Sequence, residues 1–387
     1  MRIGRLALGN WKNFAAAELV LLDRAVLIGP NAAGKSNLLD ALRFLHDVAA
    51  ARGGGLQAAV AARRGVEAIG RVGAAPGAGV SLRLELEDGA GGWRYALGFE
   101  AGPDGAARLT REEVVRREGA RATVLLDRPD AADRDDPERL GQTALEQTAA
   151  NARFRPLAAF LRSIRHVRGT ARRPETAASE GVSEGASEGV AGLIARIAAT
   201  PGRARTARLA RLSEALRLAV PQFDRLLLVP DARGRPHLRA RYLHWPEDHP
   251  GEDEGAFSSG TLRLLGLLWS LQEQGGPLLI EEPEQSLPAA IAAELPRLIR
   301  GAARGRAGRP ARQVLIATHS PDLLSDPSLG LDEVFVILPD AEGARVLPAS
   351  ALPGAADRLA AGLPLAEILL PLARPPAAER LGQLDLG

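Results

Sequence analysis

A chain of 387 residues, 46% hydrophobic and 25% charged, has room for one large domain or two and the composition of an ordinary globular protein. It has no cysteine, which excludes disulfides, thiolate metal sites and cysteine nucleophiles, and no apolar run long enough to span a bilayer. The formal charge is +2, and of the 49 basic residues only Lys12 and Lys35 are lysines, a bias that GC-rich coding produces and that makes a lysine within a motif informative.

In chain order, the opening MRIGRLALGNWKNF alternates apolar with polar residues and does not form the apolar block of a signal peptide. A cytoplasmic protein with no membrane partner is therefore expected. VLIGPNAAGKSNLLDALRFL, residues 26–45, follows a short apolar strand. Gly29, Gly34, Lys35 and Ser36 match G-x-x-x-x-G-K-[ST], and Leu38, Leu39, Leu42 and Leu45 give a helical pattern after it. Glycines there let backbone N–H groups and the helix N-terminus surround a phosphate, Lys35 reaches the β- and γ-phosphates, and the Ser36 hydroxyl ligates Mg²⁺. The competing reading is a plain glycine turn between strand and helix.

Residues 80–127 alternate in VSLRLELED and GGWRYALGFEA, which predicts antiparallel hairpins beside the phosphate-loop strand. Residues 138–167 read as helical. ASEGVSEGASEGV, residues 178–190, repeats Ser-Glu-Gly three times and has a linker's composition, its end passing into a helix with AGLIARI. TARLARLSEALRLAV predicts another helix, and residues 225–245 return to strand-like alternation. No sustained heptad repeat is present, so no long coiled-coil arm is expected. Two arginine clusters, residues 162–173 and Arg205, Arg208 and Arg211, read either as a phosphate-binding groove for DNA or as solvated faces.

EGAFSSGTLRLLGLLWSLQEQGG sets a Ser-Ser-Gly turn before an apolar helix, an ordinary N-cap that can also present N–H and hydroxyl groups to an anion. PLLIEEPEQSLP ends an apolar strand in two adjacent carboxylates, which resist burial unless a cation compensates them. In P-loop NTPases a second strand ends in an acid on the Mg²⁺ side, so Glu281 reads as that acid and Glu282 as the general base. An acidic helix start is the plainer reading. RQVLIATHSPDLL is an apolar strand running into Thr318, His319 and Ser320, and no G-x-S-x-G elbow accompanies it to suggest a hydrolase triad.

Taken in order, these stretches resemble the ABC-type ATPases, and within them the RecF/SMC-like branch with OLD-like AAA-family heads. LALGNWKNFAAAELVL is similar to that family's opening strand pair, residues 29–37 to its Walker A, FSSGT to its signature loop, LLIEEPE to its Walker B and IATHSP to its switch-histidine loop. The resemblance implies an α/β fold, a P-loop NTPase of the ABC-ATPase head type with a RecA-like core, an antiparallel β subdomain and an inserted helical lobe. It implies ATP and Mg²⁺ as cofactors. Gly29, Asn31, Gly34, Lys35, Ser36 and Asn37 would bind ATP, Ser36 and Glu281 would stand on the metal side, Glu282 would polarise water and His319 would contact the γ-phosphate. Ser258, Ser259 and Gly260 would meet the γ-phosphate of a second subunit, which implies a homodimer formed on ATP.

On this reading residues 1–130 and 254–350 form the core, 131–253 a helical lobe with a linker near 174–190, and 351–387 a tail. The family suggests DNA as the substrate of the movement, in repair or anti-phage defence. The alternative is a regulatory ATPase controlling a separate nuclease or toxin. QSLPA follows EEPE where the family usually has Asn-Gly-Leu-His-Pro, so the dimer-facing loop is expected to differ. Gln57, Gln142 and Gln147 are the candidates for the coupling glutamine. The stretch after His319 is shorter than the TOPRIM domain of OLD-type nucleases, so nuclease activity is expected only from a partner.

Overall fold

The computed structural model describes residues 1–51, 53–75, 77–89, 91–168, 189–305 and 311–374. Its first sheet is antiparallel, in the order β2 (Phe14–Val20), β1 (Arg2–Trp11), β4 (Val80–Asp88), β5 (Gly91–Ala101), β6 (Ala107–Glu118), β7 (Arg121–Arg128). The predicted alternation builds it: Val80, Leu82, Leu84 and Leu86 turn inward while Ser81 and Arg83 are exposed. The second sheet runs β15 (Gly343–Pro348), β14 (Val334–Asp340), β3 (Arg24–Ile28), β13 (Val314–Ala317), β12 (Leu278–Glu281), β8 (Arg165–Arg168), parallel except at the β15 edge. β3, β12 and β13 are buried along their whole length, as parallel strands covered on both faces must be.

Alternate residues of this parallel sheet feed two cores. Leu27, Leu279, Leu315 and Phe335 share one core with α1 (Lys35–Ala49) and the antiparallel sheet. There Trp11 meets Phe44 edge-on and Phe44 stacks on Phe99, each pair with ring centres 5.4 Å apart. Val26, Ile28, Ile280 and Ile316 face the opposite side, where Leu295 and Ile299 of one helix and Ile368 and Leu369 of another cover them. A third core joins two inserted helices, Val190–Ala199 and Gly202–Ala219, to the helix Ser259–Gln272 and to a small sheet of β9 (Phe223–Pro230), β10 (Pro236–Tyr242) and β11 (Glu252–Asp253). No described helix is long and apolar enough to cross a membrane.

The helical reading of residues 138–167 is corrected. Helix covers only Arg155–Arg162, with 3₁₀ turns at Pro137–Gly141 and Ala150–Phe154 before it. Arg165–Arg168 is strand β8, whose residues pair in register with Leu278, Leu279, Ile280 and Glu281. The cause is tertiary: one edge of β12 needs a backbone partner, and that demand overrides the weak local preference of Arg-His-Val-Arg. The helices expected through AGLIARI and TARLARLSEALRLAV form, as do the strands expected over 225–245. Of the Ser-Glu-Gly repeat, only Gly189 and Val190 lie within the described residues, and the tail beyond Arg374 lies outside them.

Candidate functional site

β3 delivers the chain to Gly29, and α1 starts at Lys35. A Cβ added to Gly29 would stand 2.4 Å from the Ile337 backbone oxygen, so only glycine fits there. Gly34 caps α1 at φ 111°, and a Cβ on it would lie 2.4 Å from the Asn13 side chain. Asn13, at the turn between β1 and β2, donates to the Ala33 carbonyl at 2.7 Å and accepts from the Asn37 amide at 2.7 Å. The Trp11 indole N–H reaches the Asn37 carbonyl at 2.8 Å. The first hairpin therefore braces the loop.

Lys35 is buried, and its Nζ donates to the Gly29 and Pro30 carbonyls at 2.9 and 3.0 Å. Burial holds this ammonium down to about 8, with Glu282 and Glu284 opposing the shift. A buried cation, the unsatisfied N–H groups that open a helix and glycines at the two ends of the loop together form a cradle for phosphate.

β12 ends at Glu281, whose Oε2 accepts from Ser36 Oγ at 2.7 Å and whose Oε1 lies 2.7 Å from His166 Nε2. Glu282 then turns out of the sheet at φ 43°, its N–H held by the Ala317 carbonyl at 2.7 Å. A left-handed glutamate costs about 1–2 kcal/mol. The turn sets the Glu282 carboxylate 3.8 Å from His319 Nε2. Glu284 joins the two loops, since its Oε1 accepts from Thr318 Oγ1 at 2.7 Å and from the His319 N–H at 3.0 Å.

His319 Nε2 and Glu284 Oε2 are buried and have no hydrogen-bond partner among the described residues. Burial, with Lys35 adding to it, lowers the His319 pKa, so the imidazole is neutral at neutral pH. The phosphate cradle, the hydroxyl and carboxylate oxygens of Ser36 and Glu281 and these two unpartnered polar atoms fit a Mg²⁺–triphosphate, because Mg²⁺ takes oxygen ligands and shares them with phosphates.

Ser258 caps the helix Ser259–Gln272, its Oγ accepting from the Thr261 N–H at 3.1 Å, and Ser258 and Ser259 are exposed. A Cβ on Gly260 would lie 2.6 Å from the Ser286 backbone oxygen. Buried Arg263, on the same helix, binds the Gln285 carbonyl and, at 2.8 Å, its side-chain oxygen. The QSLPA loop is thus fastened to the helix Ser259–Gln272.

The structure brings Lys35, Ser36, Glu281, Glu282 and His319 together, while Asn31 is exposed and the Asn37 amide is engaged by Asn13. Asn13, His166, Arg263 and Glu284 escaped sequence reasoning. Only Glu284 had a local signal, its place in EEPE. Gln57 binds the Ala107 and Gly141 carbonyls at 2.7 and 2.8 Å, while Gln147 and Gln142 share one exposed contact at 3.4 Å. Both arginine clusters are partly structural. Residues 165–168 are a sheet strand, Arg205 binds the Ala198 carbonyl at 2.8 Å, Arg208 lies 5.5 Å over Trp269 and Arg211 reaches Gln272 at 3.5 Å.

Residues 24–325 match the family model described as "AAA domain, putative AbiEii toxin, Type IV TA system". The chain belongs to this AAA-domain family. Within this AAA-domain family it is a RecF/SMC-like ABC-type ATPase head. A segment of 110 residues, 28% of this chain, is 39% identical to the DNA replication and repair protein RecF of Rhizobium etli. One of 72 residues, 18% of the chain, is 46% identical to RecF of Agrobacterium fabrum. These segments cover 26% and 18% of the two relatives, so the chain matches about a quarter of their length or less. The SmcHead bound to the C-winged helix domain of ScpA aligns with a TM-score of 0.50 and 14% identity over 90% of this chain and 97% of that one, a likeness of fold.

Proposed function

We propose that this chain binds Mg²⁺–ATP at the Lys35–Ser36 cradle, dimerises on it and separates when it is hydrolysed. The observation that carries the reading is the meeting of Ser36 with Glu281 at 2.7 Å beside Glu282, which is turned out of the sheet toward His319. Mg²⁺ held on the Ser36 and Glu281 side would supply charge neutralisation to the phosphates. Glu282 accepts a proton from water as the water oxygen bonds to the γ-phosphorus, the bond to the β–γ bridging oxygen breaks, and ADP and phosphate leave. Neutral His319 offers its free Nε2 to the γ-phosphate. Gly29, Gly34 and the N–H groups around Lys35 hold the triphosphate, and the Asn13 brace keeps the loop from yielding.

Exposed Ser258 and Ser259, with half-buried Gly260, complete the partner subunit's site in this proposal. The two RecF proteins, named for DNA replication and repair, support DNA as the substrate of the movement. A second reading, a nucleotide switch that controls a separate nuclease or toxin, is favoured by the toxin–antitoxin wording of the family and by arginines already engaged within the fold. The test is Glu282→Gln, which retains ATP: sedimentation with and without Mg²⁺–ATP, then duplex DNA binding across a salt series. An ATP-dependent dimer whose DNA affinity falls steeply with salt supports the first reading. An ATP-dependent dimer indifferent to DNA supports the second, and a monomer under all conditions contradicts both.

A further inference from the structure

β8 has no place among the motifs, yet it pairs with the strand that ends in Glu281. Arg165, His166, Val167 and Arg168 stand opposite Leu278, Leu279, Ile280 and Glu281. Side chains alternate along a strand, so His166, Leu279 and Glu281 share a face, the one turned toward α1 and the phosphate loop. His166 and Glu281 side chains are 8% and 10% exposed, and their contact at 2.7 Å is that of a full hydrogen bond.

We propose that His166 is a positioning residue for the metal-side acid: its Nε2–H holds Glu281 Oε1 so that Oε2 stays on Ser36 and on the Mg²⁺ side. An ionised carboxylate only accepts, so the shared proton belongs to Nε2, while Nδ1 is buried with no partner among the described residues. Ser36 holds Oε2 and His166 holds Oε1, which fixes the carboxylate at both ends. A hydrogen-bonded neighbour of this kind orients a metal-side ligand and raises its basicity. A histidine serving only the sheet would need no carboxylate partner at the strand's end. The proposal rests on the Mg²⁺–ATP reading.

The test compares the parent with His166→Leu, which fills the space without a donor, and His166→Gln, whose amide nitrogen can donate from the place of Nε2. Binding of a fluorescent ATP analogue is titrated with Mg²⁺ and repeated in EDTA. His166→Leu is expected to need about 10–100-fold more Mg²⁺ for half-maximal binding. His166→Gln should stay close to the parent, and all three should bind alike in EDTA. Parent-like Mg²⁺ dependence in His166→Leu overturns the proposal. So does an equal loss in both variants, or a matching loss in EDTA, either of which marks packing rather than positioning. Failure of the parent to bind nucleotide at all overturns the phosphate-loop reading first and this proposal with it.

Discussion

Lys35 gives the phosphate site a pH signature. Its ammonium is buried on two backbone carbonyls and titrates at about 8, lowered from 10.5 by that burial. A triphosphate binds the charged form, so below about pH 8 affinity is flat, and above it binding must also draw in a proton. Each unit of pH then costs about 1.4 kcal/mol, or tenfold, until the pKa of the complex is reached. From about pH 7 to about pH 9 the expected fall is about tenfold. The free fold shows the opposite trend, because between pH 8 and 10.5 the unfolded chain holds the lysine proton more tightly, and Lys35 adds stability as pH rises. The assay is calorimetric ATP binding at constant ionic strength in parent, Lys35→Met and Lys12→Met, which covers both lysines of the chain. Parent and Lys12→Met should share the slope, while Lys35→Met should bind weakly with none. An affinity that stays flat to about pH 10 in the parent, or a slope that survives in Lys35→Met, refutes the reasoning.

Arg128 anchors the antiparallel sheet to the turns that follow it. Its buried guanidinium lies 3.1 Å from Glu112, 2.7 and 2.9 Å from Asp133, and on the carbonyls of Arg139 and Gln142. Arg128→Leu strands two buried carboxylates and should cost about 3–5 kcal/mol in urea unfolding, and a loss below about 1 kcal/mol would remove the network from the account. Arg128 also holds the Asp133 carboxyl down to about 2, from an ordinary 3.8. That stability is present above pH 3.8 and lost as pH falls toward 2, so Asp133→Asn should lower the melting temperature at neutral pH and flatten the decline on acidification.

Much of the site was legible because its chemistry is local. Gly29 to Ser36 is one loop, and the apolar run before Glu281 announced a buried strand ending in acid. The rest depends on distant partners. His166 acts on a residue 115 positions away and sits among arginines that suggested a nucleic-acid surface, while Asn13 braces a residue 24 positions away. β8 was misread because its four residues carry no apolar alternation and become a strand only through the open edge of β12. Arg263 carries no local signal, and its purpose shows only when Gln285 folds onto it.

The most direct measurement is steady-state phosphate release from Mg²⁺–ATP by the parent and by Glu282→Gln. The account predicts hydrolysis by the parent and a fall of about 10²–10⁴-fold in the variant, with ATP affinity preserved. Equal rates in the two proteins, or no phosphate release from the parent, would contradict it.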